Sequence, residues 1–97
     1  MPDAVQVRWT APAAHDLQEI ARYIQKDNPS AARAVAKKLF DAANGLNVLP
    51  LRGRAGRVAG TRELVIPPLP YIIVYQVQLS AVHILHIYHG ARNWSGE

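Results

Sequence analysis

The chain has 97 residues, and at about 10.7 kDa it has room for one domain. A chain of this size buries only roughly 60–65% of the surface it exposes when unfolded, so its core must be compact. With 49% hydrophobic and 19% charged residues it has the composition of a folded domain, and zero cysteines exclude a disulfide scaffold, a thiolate zinc site and a thiol nucleophile. No apolar run approaches the roughly 18 residues of a membrane-spanning helix, and the N-terminus lacks a signal-like core, so a cytoplasmic domain is expected. Eleven Lys and Arg against seven Asp and Glu give a net charge of +4 and a pI near 9.9. Such a surface favours an acidic partner, whether nucleic acid, protein or lipid face.

In chain order, residues 4–9 alternate Val5, Val7 and Trp9 with Gln6 and Arg8, the period of a half-buried strand. Thr10 reads as a helix N-cap, and Pro12 falls in the first turn, where its missing N–H costs nothing. Ala13, Leu17, Ile20 and Ile24 then form one stripe of an amphipathic helix, with His15, Asp16, Glu19 and Arg22 on the wet face. Asn28-Pro29-Ser30 stops it and starts the next. In that second helix Ala32, Val35, Leu39, Ala42, Leu46 and Leu49 make the apolar stripe, widened by Phe40 and Ala43. Gly45 weakens the pattern and Pro50 ends it. Two such helices on a short link read as an antiparallel hairpin.

Beyond an arginine-rich loop the period changes to two. A strand over 61–66 is followed by Pro67, Pro68 and Pro70, which a central ladder does not admit. Residues 71–79 form a second strand, with Tyr71, Ile73, Tyr75, Val77 and Leu79 on one face, and residues 81–89 a third. The last is apolar on both faces and therefore expected at the centre of the sheet. The order β-α-α-β-β-β defines a small α+β domain, in which a helical hairpin packs on one face of a curved, mostly antiparallel sheet.

The positive charge has an address. Arg52, Arg54, Arg57 and Arg62 fall in eleven residues without an acid, and every basic residue beyond Lys38 is an arginine. The guanidinium fork suits carboxylates and phosphates, although a glycine-spaced solvated loop accounts for the pattern equally well. His83, His86 and His89 recur every three residues, but on a strand His86 points away from the other two and no carboxylate stands near in sequence. No metal site is expected. No nucleophile elbow, glycine-rich phosphate loop or isolated carboxylate pair is present, so no cofactor is expected either. The strongest cluster is Arg54, Arg57, Arg62, His89, Arg92 and Trp94. Histidine exchanges protons near neutrality and arginines stabilise phosphate charge, so this set could serve RNA cleavage without a metal. From residue types alone the slightly favoured reading is that Arg92 and His89 bind a protein partner's carboxylates while Trp94 packs over the sheet edge.

Gly60-Thr61-Arg62-Glu63-Leu64, Pro70-Tyr71-Ile72-Ile73-Val74-Tyr75-Gln76-Val77 and Ile84 through Trp94 together resemble the RelE/ParE superfamily, the toxins of bacterial type II toxin–antitoxin modules. Trp9 to Ile24 and Pro50 followed by Gly53-Arg54 extend the resemblance over nearly the whole chain. It implies the same fold and a cognate antitoxin that wraps a segment around the toxin. RelE-like members are ribosome-dependent mRNA endonucleases with an arginine at the position of Ile72 and a second near Gly90, and with a tyrosine in the C-terminal tail that has no counterpart here. The catalytic candidates that remain for a nuclease are Arg62, His89 and Arg92. ParE-like members poison DNA gyrase and share the His89-x-x-Arg92 tail and the Gly-Thr-Arg-Glu-Leu strand. The resemblance therefore implies a ParE-like binding module, neutralised by an acidic ParD-like antitoxin. Arg54, Arg57, Arg62, His89, Arg92 and Trp94 are its target-binding candidates, and Arg22, Arg33, Lys37, Arg62 and Arg92 its antitoxin-binding candidates.

Overall fold

The computed structural model describes residues 5–91. The chain runs through β1 (Gln6–Trp9), α1 (Ala11–Gln25), α2 (Pro29–Asn44), a 3-10 turn (Gly45–Asn47), β2 (Arg54–Ala55), β3 (Arg62–Val65), β4 (Tyr71–Gln78) and β5 (Ala81–His89). The five strands form one sheet in the order β1-β5-β4-β3-β2. Only β1 and β5 pair in parallel; every other pair is antiparallel. The central strand is β4, and not β5 as the apolar character of β5 on both faces had suggested. β5 lies second from the edge, covered by β1 only from Ala81 to Ile84, and it is the first five residues of β4 that are continuously buried.

Local chemistry sets the helix boundaries. The Thr10 side chain accepts from the Ala13 N–H at 3.2 Å, while its hydroxyl donates to the Ile84 carbonyl at 2.7 Å. One residue thus caps α1 and ties it to β5. Asn28 caps α2 by accepting from the Ala31 N–H at 3.0 Å, with Pro29 at the first helical position. The sequence pattern carries α2 to Pro50, yet the α-helix ends at Asn44 and tightens into the 3-10 turn from Gly45. Glycine gives the longer helix no propensity to continue, and the turn still places Leu46 in the core at 0% exposure.

The core lies between the helical hairpin and one face of the sheet. Ala13, Leu39, Ala43 and Leu46 meet Leu64, Ile73, Tyr75, Val82, Ile84 and Ile87, with Val7, Trp9, Leu17, Ile20 and Ile24 packed around them. Each large apolar side chain buried this way contributes about 1.5–3 kcal/mol. Trp9 closes one end of the core, stacking on Phe40 with ring centroids 5.7 Å apart and donating its indole N–H to Asn44 Oδ1 at 3.1 Å.

Two features depart from the sequence expectation. Arg54 and Ala55, expected in a loop, pair with Glu63 and Arg62 and form a fourth C-terminal strand. In β5 the register against β4 shifts between Val74 and Tyr75, which pair with His86 and Ile84, leaving Leu85 as an extra residue. This β-bulge breaks the alternation on which the histidine reading rested. His83 and His86 stand opposite Gln76 and Val74, which share the face away from the helices, while His89 stands opposite Tyr71 on the helix-facing side.

Candidate functional site: the arginine loop and the end of β5

The arginine loop is built around Glu63. This side chain is 2% exposed and is the only charged residue buried among those described. Its Oε1 accepts from Arg54 Nη2 at 3.0 Å and Nε at 3.3 Å, and its Oε2 accepts from the Arg57 backbone N–H at 3.1 Å. Burying a carboxylate is tolerated only when its lone pairs are met in this way. Gly56 N–H donates to the Thr61 carbonyl at 2.8 Å and closes the loop between β2 and β3. A Cβ at Gly56 would lie 2.9 Å from that same oxygen, so the close approach of the two strands demands glycine.

Arg62 faces the other way. Its Nη1 donates to the carbonyls of Gly53 at 2.8 Å and Leu51 at 3.3 Å. The Tyr75 hydroxyl donates to the Pro50 carbonyl at 2.8 Å and accepts from the Gly53 N–H at 2.7 Å. Arg62 and Tyr75 are register partners, so together they fasten residues 50–53 to the sheet from the helix side. Arg57 reaches in the opposite sense, its guanidinium carbon 6.0 Å from the centre of the Tyr88 ring, at cation–π range. Since β4 and β3 separate β5 from β2, the arginine loop spans the outer face of the sheet. Beneath that span Ile72 and Val74, which face away from the helices, are 8% and 0% exposed.

The end of β5 forms the second part of the site. His89 packs edge-on against Tyr71 with ring centroids 5.5 Å apart, and its Nδ1 accepts from the Ala91 N–H at 3.1 Å. β1 covers β5 only as far as Ile84, so the bulged half of β5 is an open edge beside α1. Asp16, which the helical pattern placed on the wet face, turns to this edge. Its Oδ2 accepts from the Ile87 backbone N–H at 3.0 Å and lies 3.1 Å from His86 Nδ1. Alongside runs a groove of about 800 Å³, whose lining includes Tyr23, Tyr71, His86 and His89.

The expected cluster therefore divides. Arg54 and Arg57 share one loop on Glu63, Arg62 is committed to backbone carbonyls on the opposite face, and His89 joins the loop only through its neighbour Tyr88. Arg92 and Trp94 lie outside the described residues. Of the helix cations, Arg22 pairs with Glu19 and Lys37 with Asp41, the latter at 2.6 Å, while Arg33 is exposed on α2 one turn before Lys37. Glu63 and Asp16 were missed because a single carboxylate beside arginines or on a wet helix face reads as solvated. The available signal for Glu63 was an acid within an apolar strand directly after four arginines. Among the described residues no three His, Asp or Glu side chains gather at metal-binding distance, and no helix is long and apolar enough to cross a membrane.

The helical hairpin, the five-stranded sheet and an arginine loop fastened by a buried carboxylate define a small α+β module that presents charge on a rigid frame. The family described as the ParE toxin of the type II toxin-antitoxin system parDE matches residues 7–94, and the chain belongs to it. It is similar to Y4kP of Sinorhizobium fredii, which carries a toxin's name, with 42% identity over 92% of each chain. Toxin RelE2 of Caulobacter vibrioides is 46% identical, covering 90% of this chain and 97% of that one. Among solved structures, the chromosomal ParDE toxin–antitoxin system of P. aeruginosa shares the fold with a TM-score of 0.82 at 24% identity, over 89% of this chain and 96% of that one. The toxin–antitoxin complex RelBE2 of Mycobacterium tuberculosis matches with a TM-score of 0.61 at 26% identity, over 89% and 98%. This protein is thus a toxin of the RelE/ParE superfamily.

Proposed function

We propose that this toxin arrests growth by holding DNA gyrase on its cleaved DNA, as a binding module and not as a catalyst, and that an acidic ParD-like antitoxin neutralises it. The observation that carries this reading is Ile72. It lies on the outer face beneath the arginine loop, 8% exposed and opposite Tyr88. Metal-free phosphoryl transfer needs a preorganised cation at the position where charge develops. Here that position is a buried aliphatic wall, and among the described residues Arg54 is engaged by Glu63 and Arg57 lies over the Tyr88 ring. A rigid cationic loop of this kind suits attachment to an anionic or acidic surface. Arg54, Arg57, Arg62, His89, Arg92 and Trp94 are the proposed contacts to the target, and Arg22, Arg33, Lys37, Arg62 and Arg92 those to the antitoxin.

Ribosome-dependent mRNA cleavage is the competing reading, with Arg62, His89 and Arg92 as its candidate residues. It is favoured by the 46% identity to a relative named RelE2 and by the His89 imidazole in the lining of the groove. Inducing the chain alone in cells separates the two. The gyrase reading expects chromosome breaks and a DNA-damage response, with messages intact. Codon-phased cuts in mRNA without chromosome breaks would overturn it. Unimpaired growth would reject both.

A further inference from the structure

Leu79, in the turn between β4 and β5, has φ of +47° and a fully exposed side chain. A turn usually fills such a left-handed position with glycine or asparagine, and leucine is disfavoured there. No burial within the chain offsets that strain, and strain of this kind is characteristic of positions that serve a contact. The end of the sheet around it is apolar as well. Tyr75 and Arg62 fasten residues 50–53 to the sheet, and β4 runs on from Tyr75 only to Gln78. At the rise of an extended chain, Leu79 follows Tyr75 by about 13 Å. The tip of the arginine loop arrives at the same end, since a Cβ at Gly60 would lie 3.6 Å from Gln76 Nε2. Val48, Leu49, Leu51, Val58 and Leu79 thus come to one end of the sheet. They are five of the eight large apolar side chains exposed among the described residues, a concentration and not a scatter. The segments that build this end, residues 45–62 and 75–83, contain four arginines and no acid. Gln76 and Gln78, joined by an amide hydrogen bond at 3.3 Å, and exposed Ser80 flank the leucine.

We infer that Leu79 inserts into an apolar pocket on the target protein, with Leu49, Leu51 and Val58 adding apolar area beside it and the arginine loop facing an acidic rim. The inference rests on the gyrase reading and deepens it, because it places the contact on the enzyme's protein surface and not on its DNA. A duplex backbone offers charge but no pocket for a leucine. A lipid face would strip water from Gln76, Gln78 and Ser80 without supplying partners for them. A protein pocket takes the leucine and leaves those polar groups hydrated at its margin, the arrangement of a buried anchor inside a polar ring. The arginines alongside steer the encounter towards an acidic surface.

Leu79→Asn tests this, because asparagine accepts the left-handed backbone and the variant should fold at least as well as the parent. Binding of the fluorescently labelled chain to purified gyrase without DNA should weaken about tenfold or more, and the concentration that yields linear DNA should rise in proportion. Leu79→Met, which keeps an apolar tip, should recover most of the loss. The loss should be the same at low and high salt, since screening acts on the arginines and not on the leucine. Full gyrase binding by folded Leu79→Asn overturns the inference and leaves the gyrase reading standing. A parent chain that engages gyrase only when DNA is present overturns it too. So does a loss confined to binding of phosphatidylglycerol vesicles, which assigns the tip to a membrane, or to concentration-dependent self-association, which assigns it to a second copy. A parent chain that neither binds gyrase nor yields linear DNA removes the gyrase reading and this inference together.

Discussion

Replacing Glu63 tests the account of the arginine loop most sharply. Its carboxylate holds three donors from two residues while itself 2% exposed. Glu63→Ala strands the Arg57 N–H and opens a void beside Val74. Hydrogen bonds to a charged group are worth about 1.5–3 kcal/mol each. Two of the three bonds come from the Arg54 side chain, which is 56% exposed and can return to water, so their share must be discounted. The expected cost is about 2–4 kcal/mol, which for a domain of this size lowers Tm by roughly 10 °C or more. Glu63→Gln keeps the shape and one acceptor and should lose about half as much. Thermal and urea unfolding followed by circular dichroism give both numbers. In an Arg54→Ala background most of the loss should persist, because the Arg57 N–H is still orphaned. If Glu63→Ala is within about 0.5 kcal/mol of the parent, the range of a neutral surface change, then the carboxylate is not the anchor of the loop.

Other expectations follow from individual contacts. Tyr75→Phe removes both the bond to Pro50 and the acceptor of the Gly53 N–H, and should cost about 1–3 kcal/mol by urea unfolding. Gly53→Ala should be worse, since a Cβ there meets the Tyr75 hydroxyl at 2.7 Å and the Glu63 carbonyl at 2.9 Å. Leu39→Ala in the core should cost about 2–5 kcal/mol and reduce toxicity only through loss of folded protein, as measured by soluble yield against growth inhibition. Leu79 at the β4–β5 turn has φ of +47° and a fully exposed side chain. Leu79→Gly should therefore stabilise the chain by up to about 1 kcal/mol, and an unchanged or lower Tm would contradict the strain argument.

Much of this architecture was legible in the residues, for reasons that can be named. Thr10 with Pro12, and Asn28 with Pro29, carry both the cap and the first-turn proline of their helices. Tyr71 to Gln78 and Ala81 to His89 are long enough for a period of two to be unmistakable. β2 escaped because two residues, one of them alanine, show no period, and its pairing is imposed by the Gly56–Thr61 closure. The bulge at Leu85 escaped because an inserted residue leaves the apolar pattern on either side intact and changes only its phase. Its consequence reaches the site, since the displaced half of β5 is where Asp16 and His86 meet. The arginines stand together in the sequence, but residue type could not reveal that Arg54 and Arg62 leave the sheet on opposite faces. That division follows from their register against Glu63 and Tyr75, which exists only once the strands have paired.

The central claim is that the arginine loop and the end of β5 make a gyrase poison. Purified chain titrated into gyrase with supercoiled DNA and ATP measures this directly. Linear DNA released by protein digestion should rise with toxin concentration, fall when the antitoxin is added, and fall when Arg57 is replaced by alanine in a chain that stays folded. Unchanged supercoiling with no linear DNA, alongside message cleavage by the same preparation in a ribosome assay, would contradict it.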